Sequence, residues 1–165
     1  MKAVGPPEIR VRAATAKDFD RIGELVLSLG RAYEAVDPSY ALAIDFGRMW
    51  REHIEEGLKD DRIRVPVSLD AGGKVVSFLV ARAAYAPLGL KAPRMGLIEA
   101  AWVEEPFRRQ GRLRAMANDA MRWFEVKRAT NVQIAVDHRD ATASAAWRAL
   151  GFGDFQLVLR RQLDG

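Results

Sequence analysis

The sequence has no cysteine, only two histidines and no long apolar run. Without cysteine there can be no disulfide, no thiolate metal site and no cysteine nucleophile. A chain without thiols suits a reducing cytoplasm, which is the expected compartment. His53 and His138 lack the spacing of metal ligands, so no metal is expected. No uncharged stretch approaches the roughly 20 residues of a membrane span, and Met1 to Pro7 has no apolar core of signal-peptide length. No membrane association is expected. There is no Walker loop, no GxGxxG and no serine nucleophile elbow. The net charge of +4 invites a nucleic-acid reading, but no recognised motif or aromatic platform accompanies it. No specific nucleic-acid partner is expected.

What is present describes a globular protein. The 165 residues are 49% hydrophobic and 29% charged with both signs mixed, enough for one domain, residues 1–165, with a sizeable core. Ile9–Ala14 reads as a strand. Thr15 can cap the next helix, with Asp18 in its first turn. That helix carries Phe19, Ile22, Leu25, Val26, Leu29, Ala32, Tyr33 and Val36 on one face and ends before Pro38. A second helix repeats the spacing at Phe46, Met49, Trp50, His53, Ile54, Gly57 and Leu58. On that stripe His53 reads as a satisfied, half-buried histidine. Arg62–Leu69 and Lys74–Ala83 flank the turn Asp70–Gly73 as a hairpin, and Pro66 marks an edge or a bulge. Ala84–Arg94 is a loop. Met95–Val103, apolar on both faces, is a central strand. Leu113, Met116, Ala117, Ala120, Met121 and Phe124 mark a third helix, with Leu113 opening its buried stripe. Asn131–Val136 is a strand, Ala141–Leu150 a helix capped by Asp140, and Phe155–Arg161 a last strand. The order β, α, α, β, β, β, α, β, α, β implies a mixed sheet with helices on its faces.

The chemistry concentrates in Val103–Leu113. There a strand ends, a basic turn with Gly111 follows, and a helix begins. Such a turn aims unpaired N–H groups at one point beside the positive end of the helix dipole, which suits phosphate. Arg108, Arg109, Arg112 and Arg114 strengthen that preference. The other basic residues here, Arg122, Lys127 and Arg128, read as a solvated helix face.

This turn resembles the acetyl-CoA-binding signature of the GNAT superfamily of N-acetyltransferases, (Arg/Gln)-x-x-Gly-x-(Gly/Ala) after a strand ending in Val. Arg108 and Gly111 match it, and Leu113 departs from it. Val11–Asp18 looks like the family's opening strand and helix cap. Val136, Asp140-Ala141-Thr142-Ala143, Trp147 and Gly151-Phe152 resemble its later motif, with Asp140 for Asn and Trp147 for Tyr. The likeness covers residues from about 9 to 160. It implies a GNAT fold of about six or seven strands, with central strands that splay to admit the pantetheine arm. It also implies acetyl-CoA as co-substrate and transfer to a primary amine, on a small molecule or a peptide, by direct attack on the thioester. A non-catalytic acyl-CoA-binding sensor or interaction module stays open beside it. So does a homodimer, since exposed edge strands often pair in the family.

On this resemblance the cofactor contacts fall on Trp102, Val103, Arg108, Arg109, Gln110, Gly111, Arg112, Leu113, Arg114, Asp140 and Trp147. The amides near Trp102 and Val103 face the oxyanion. Glu99, the only ionisable residue between Met95 and Val103, is a base candidate if burial raises its pKa; an outward-facing side chain or an ion pair is the alternative. Glu104 and Glu105 read as turn residues. Trp147 stands where the family has a tyrosine acid, and its indole cannot serve. Tyr85 or Tyr40 is then the candidate acid. The acceptor pocket is expected between the first two helices and the Ala84–Arg94 loop.

Overall fold

A computed structural model describes residues 9–86, 89, 91 and 94–163. They form two compact units, Met1–Ala135 and Val136–Gly165. The first holds a sheet of β1 (Val11–Ala13), β2 (Ile63–Arg64), β3 (Pro66–Leu69), β4 (Val75–Tyr85), β5 (Arg94–Val103) and β6 (Val132–Ile134). The order is β1-β3-β4-β5-β6, with β2 also on β4. Every pairing is antiparallel except β5 with β6. The connections explain this. β3 returns as β4 through the Asp70–Gly73 turn, where Gly73 takes φ 87° and Asp70 N–H donates to Lys74 C=O at 2.9 Å. β5 reaches β6 through a helix, the crossover that parallel pairing needs.

α1 (Phe19–Val36) and α2 (Phe46–Lys59) cover one face, and α3 (Arg112–Val126) covers the other. The alternation of β4 makes the division visible. Phe78 and Val80 pack into one cluster with Ile22, Leu25, Val26 and Ile54 of α1 and α2. Ser77, just before Phe78 and on the opposite face, meets the Met116 sulfur of α3 at 3.4 Å. Each fully buried Phe, Leu or Val in these two layers contributes about 1.5–3 kcal/mol. α1 starts where Thr15 and Asp18 place it. The Asp18 carboxylate accepts from Thr15 N–H at 2.8 Å and from both terminal nitrogens of Arg12 at 2.7 and 2.9 Å. The hydrogen bond from Arg12 is the main reason that its pKa falls to about 2; the Thr15 bonds add to it, against the cost of burial.

Four expectations need correction. On the second helix Ile54 and Gly57 are buried and Phe46, Trp50 and Leu58 pack half-buried against the core, but Met49 and His53 are exposed. Pro66 lies on no edge: β3 pairs with both β1 and β4, and the proline instead follows the break between β2 and β3. The stripe of α3 begins with Arg112 rather than Leu113; its buried members are Arg112, Met116, Ala117, Ala120 and Phe124. Finally, Phe155–Arg161 is not a strand. From Phe155 to Leu163 the chain is exposed and makes no strand pairing. Alternating side chains favour an extended conformation, but a strand also needs a neighbour's N–H and C=O groups, and among the described residues the second unit has no other strand to supply them.

The Ala84–Arg94 loop is shorter than expected, since β4 runs to Tyr85 and β5 starts at Arg94. Residues 87, 88, 90, 92 and 93 of that loop lie outside the described residues. In the second unit, α4 (Ala141–Arg148) begins where Asp140 caps it, its side chain accepting from Ala143 N–H at 2.9 Å. Trp147 is buried there, edge-on to Phe152 with ring centroids 5.3 Å apart. Among the described residues, no helix is long and apolar enough to cross a membrane.

Candidate active site

β5 carries the site, and two irregularities along it do the positioning. The first is a β-bulge. Opposite β4, Val80 faces Ala100 and Ala81 faces Ile98, so Glu99 is the extra residue. A bulge sets two successive side chains on nearly the same side and re-aims them. Here Gly96 faces Phe124 of α3, while Ala100 and Trp102 join the α1–α2 cluster. Regular alternation would have put all three on one face. The second irregularity is the end of the parallel pairing. β6 matches β5 at Gly96, Leu97 and Ile98 only. β6 ends at Ile134, so from Glu99 to Val103 β5 has no β6 partner.

Glu99 is therefore the first residue of β5 beyond the β6 pairing. Its side chain is 16% exposed and is held on both oxygens. His53 Nε2 lies 2.6 Å from Oε2, and Arg82 Nε donates to Oε1. The ion-pair alternative raised for Glu99 is the one realised, so it is no isolated carboxyl in an apolar strand. The His53 ring is also set edge-on to Trp50, with centroids 5.8 Å apart. These three side chains border an open groove of about 290 Å3, along with Glu56, Gly57 and Arg62. Gly57 is essential to that wall. A Cβ there would meet Ile63 at 2.2–2.8 Å, so only glycine lets α2 lie this close to β2.

The turn between β5 and α3 is the second half of the site. Arg109 and Gly111 both take left-handed backbone, with φ of 60° and 83°. The first α3 hydrogen bond runs from Ala115 N–H to Gly111 C=O at 3.0 Å. The N–H groups of Arg112 and Leu113 precede it and have no acceptor among the described residues. Arg108 lies over the Trp102 ring at 4.7 Å and donates to Val103 C=O at 2.9 Å. The arginine heads thus do different work. Arg108, Arg109 and Gln110 are exposed. Arg112 is buried, donating to Ser68 Oγ at 3.0 Å and Leu69 C=O at 2.9 Å beneath the Phe107 ring. Its guanidinium belongs to the sheet, so Arg112 offers a ligand its amide and not its side chain. Arg114 is exposed and Leu113 half-buried. Two unpaired amides, a Cβ-free left-handed turn and the exposed Arg108 and Arg109 fit a polyphosphate group.

Trp102, Val103, Arg108 and the α3 start come together at the C-terminal end of β5. The candidate acid does not join them. Tyr85 faces Arg94 at the other end of the β4–β5 pair, about 17 Å from Glu99 at roughly 3.4 Å per residue. Tyr40 stacks on Tyr33, with ring centroids 5.8 Å apart. Asp140 and Trp147 lie in the second unit, one capping α4 and the other in its core. Glu104 pairs with Arg21 at 2.6 Å. Lys127 pairs with Asp61, and Arg122 sits 3.8 Å from Asp119, which suits the solvated-face reading. His138 is exposed beside Asp137.

Sequence reasoning missed His53 and Arg82 as members of the site. The available signal was charge inside apolar strands. Arg82 is the only charged residue of Val75–Tyr85, as Glu99 is of Met95–Val103. Two opposite charges on consecutive antiparallel strands are natural partners.

The family model of the acetyltransferase (GNAT) family matches residues 29–152. No curated protein matches the chain. Among solved structures, a tetramutant of the BH1408 protein from Bacillus halodurans superposes with a TM-score of 0.82 at 15% identity, covering 93% of this chain and 99% of that one. AAC(6')-Iy in complex with the bisubstrate analog CoA-S-monomethyl-acetylneamine gives 0.71 at 16% identity, over 96% and 99%. The aminoglycoside antibiotic 6'-N-acetyltransferase AAC(6')-IG from Acinetobacter haemolyticus gives 0.73 at 15%, over 94% and 98%. At these identities the structures establish the shared fold, and the family model covers three quarters of the chain. With the amide-rich turn before α3, they lead to one conclusion: the chain belongs to the acetyltransferase (GNAT) family.

Proposed function

We propose that residues 1–165 act as one N-acetyltransferase domain, which moves the acetyl group of acetyl-CoA to a primary amine by direct attack on the thioester. The observation that carries this is the start of α3, where the Arg112 and Leu113 amides stay unpaired behind the left-handed Gly111. These groups, with Arg108 and Arg109, would hold the pyrophosphate. The side of β5 left open after Ile98, where β6 ends, would take the pantetheine arm, bringing the thioester to the strand end near Trp102 and Val103. Their backbone would face the developing oxyanion. Glu99 follows the last β6-paired residue of β5 and borders the groove that His53 and Glu56 also line, where the amine would enter. Two of the solved neighbours, an aminoglycoside 6'-N-acetyltransferase and AAC(6')-Iy with its CoA-linked bisubstrate analog, support an amine acceptor here.

One observation favours a second reading, a binding module without turnover. The position of the expected acid is the buried Trp147, and Tyr85 is remote from Glu99. Calorimetry on the purified chain separates the possibilities. Acetyl-CoA and free CoA should bind well above ATP, and Gly111→Val should weaken both at least tenfold, because a β-branched residue at that φ costs about 1–3 kcal/mol. Absence of CoA binding by the native chain would refute the donor site, whereas binding without thiol release on any amine would leave the module reading.

A further inference from the structure

We infer that His53, rather than Glu99, takes the proton from the acceptor amine, with Glu99 and Arg82 as the residues that position its ring. The inference rests on the acetyltransferase reading above. The Glu99 carboxylate faces Arg82 on one oxygen and the His53 ring on the other. A carboxylate in that pairing can only accept, so His53 Nε2 carries the hydrogen and donates it. Nδ1 then holds the lone pair, and no hydrogen bond reaches Nδ1 among the described residues. The side chain is 43% exposed and opens onto the groove. Each oxygen of Glu99 already accepts from a side chain of this cluster, whereas His53 Nδ1 has no partner among the described residues. A base oriented through its second nitrogen by a fixed carboxylate is the arrangement that makes an imidazole an efficient proton acceptor at neutral pH.

The groove suits a small cationic amine. Its volume of about 290 Å3 is at the low end for ligand sites. Glu56, on the same helix as His53, has no ion-pair partner among the described residues and can attract an ammonium group. Arg62, following α2, turns toward Asp60. Arg82 and Glu99 from the sheet neutralise one another. The charged groups that face the imidazole are therefore Glu99, Arg82, Glu56 and Arg62.

The step balances as follows. The ammonium R–NH3+ gives one proton to His53 Nδ1, and the free amine attacks the thioester carbon. The C–N bond forms and the C–S bond breaks. The thiolate takes the second proton from the former amine nitrogen, giving the amide and free CoA thiol. His53 then returns its proton to water.

The test uses the whole chain, with n-butylamine and neamine as acceptors, thiol release as the rate and acetyl-CoA calorimetry as the control. His53→Gln keeps a donor toward Glu99 but cannot accept a proton. It should bind acetyl-CoA within twofold of the native chain and lose on the order of 100-fold in turnover at pH 7. At pH 10.5, where about half of a lysine-like amine is already neutral, that loss should shrink to a few-fold. Imidazole added to His53→Ala should restore part of the rate. Glu99→Gln should slow turnover less than His53→Gln does. An unchanged rate in His53→Gln, a loss equal at both pH values, or no thiol release by the native chain with either amine would each overturn the inference. If the native chain fails to bind acetyl-CoA, the donor reading falls, and the inference falls with it.

Discussion

The two halves of the site are built in opposite ways. The donor half is local: Arg108 to Leu113 are consecutive, and what they present is mainly backbone. The acceptor half is assembled from a distance. His53 and Glu99 are 46 residues apart in sequence, and Arg82 and Glu99 are 17 apart. A backbone site tolerates many side chains and fails when its φ angles fail. A side-chain site tolerates local backbone change and fails when two elements shift against each other.

Arg112 and Gly57 are the places to break this comparison. Arg112→Leu leaves Leu69 C=O without its buried donor and detaches the start of α3 from β3. The expected cost is about 2–3 kcal/mol, read by urea denaturation, with weakened acetyl-CoA binding and unchanged behaviour of the His53 ring by NMR. Gly57→Ala is the mirror experiment. The methyl group must displace Ile63, at a cost of about 1–3 kcal/mol from overpacking, partly offset by helix propensity. Turnover should fall severalfold while acetyl-CoA affinity stays within twofold. If either variant damaged both halves equally, the two would not be separable.

The smallest expected effect sharpens the contrast from outside both halves. The folded pKa of Asp18 is lowered to about 2, first by Arg12, against about 3.9 for an unfolded aspartate. A lowered pKa contributes stability above the unfolded value, and that stability is lost as pH falls through the window from about 4 to 2. Because Arg12 is 41% exposed, solvent screening limits the contribution to about 1–2 kcal/mol. Asp18→Asn should flatten the stability–pH curve in that window, without changing acetyl-CoA binding at pH 7.

The same contrast explains what could be read from the sequence. The Gly111 turn, the Asp140 cap and the Thr15–Asp18 capping pair were legible because their partners lie within a few residues. The central place of β5 and the mixed sheet followed from periodicity and connection lengths. His53 was read by its own helix stripe alone, as a satisfied core-side histidine, because its partner is on another element. Arg112 was read as a ligand because charge in a phosphate-like turn looks available, and only the packing against Ser68 and Leu69 shows that it is not. Phe155–Arg161 alternates like a strand, yet alternation says nothing about whether a partner exists.

The bulge at Glu99 sets the chain's tolerance to length change. Removing that one residue would restore simple alternation along β5. Ala100 and Trp102 would keep their place on the α1–α2 face, because Val80 already pairs with Ala100 and Ala81 with Ile98. Losing residue 99 therefore removes the carboxylate that His53 and Arg82 hold, whereas one residue added or removed elsewhere in the strand would turn every later side chain to the other face.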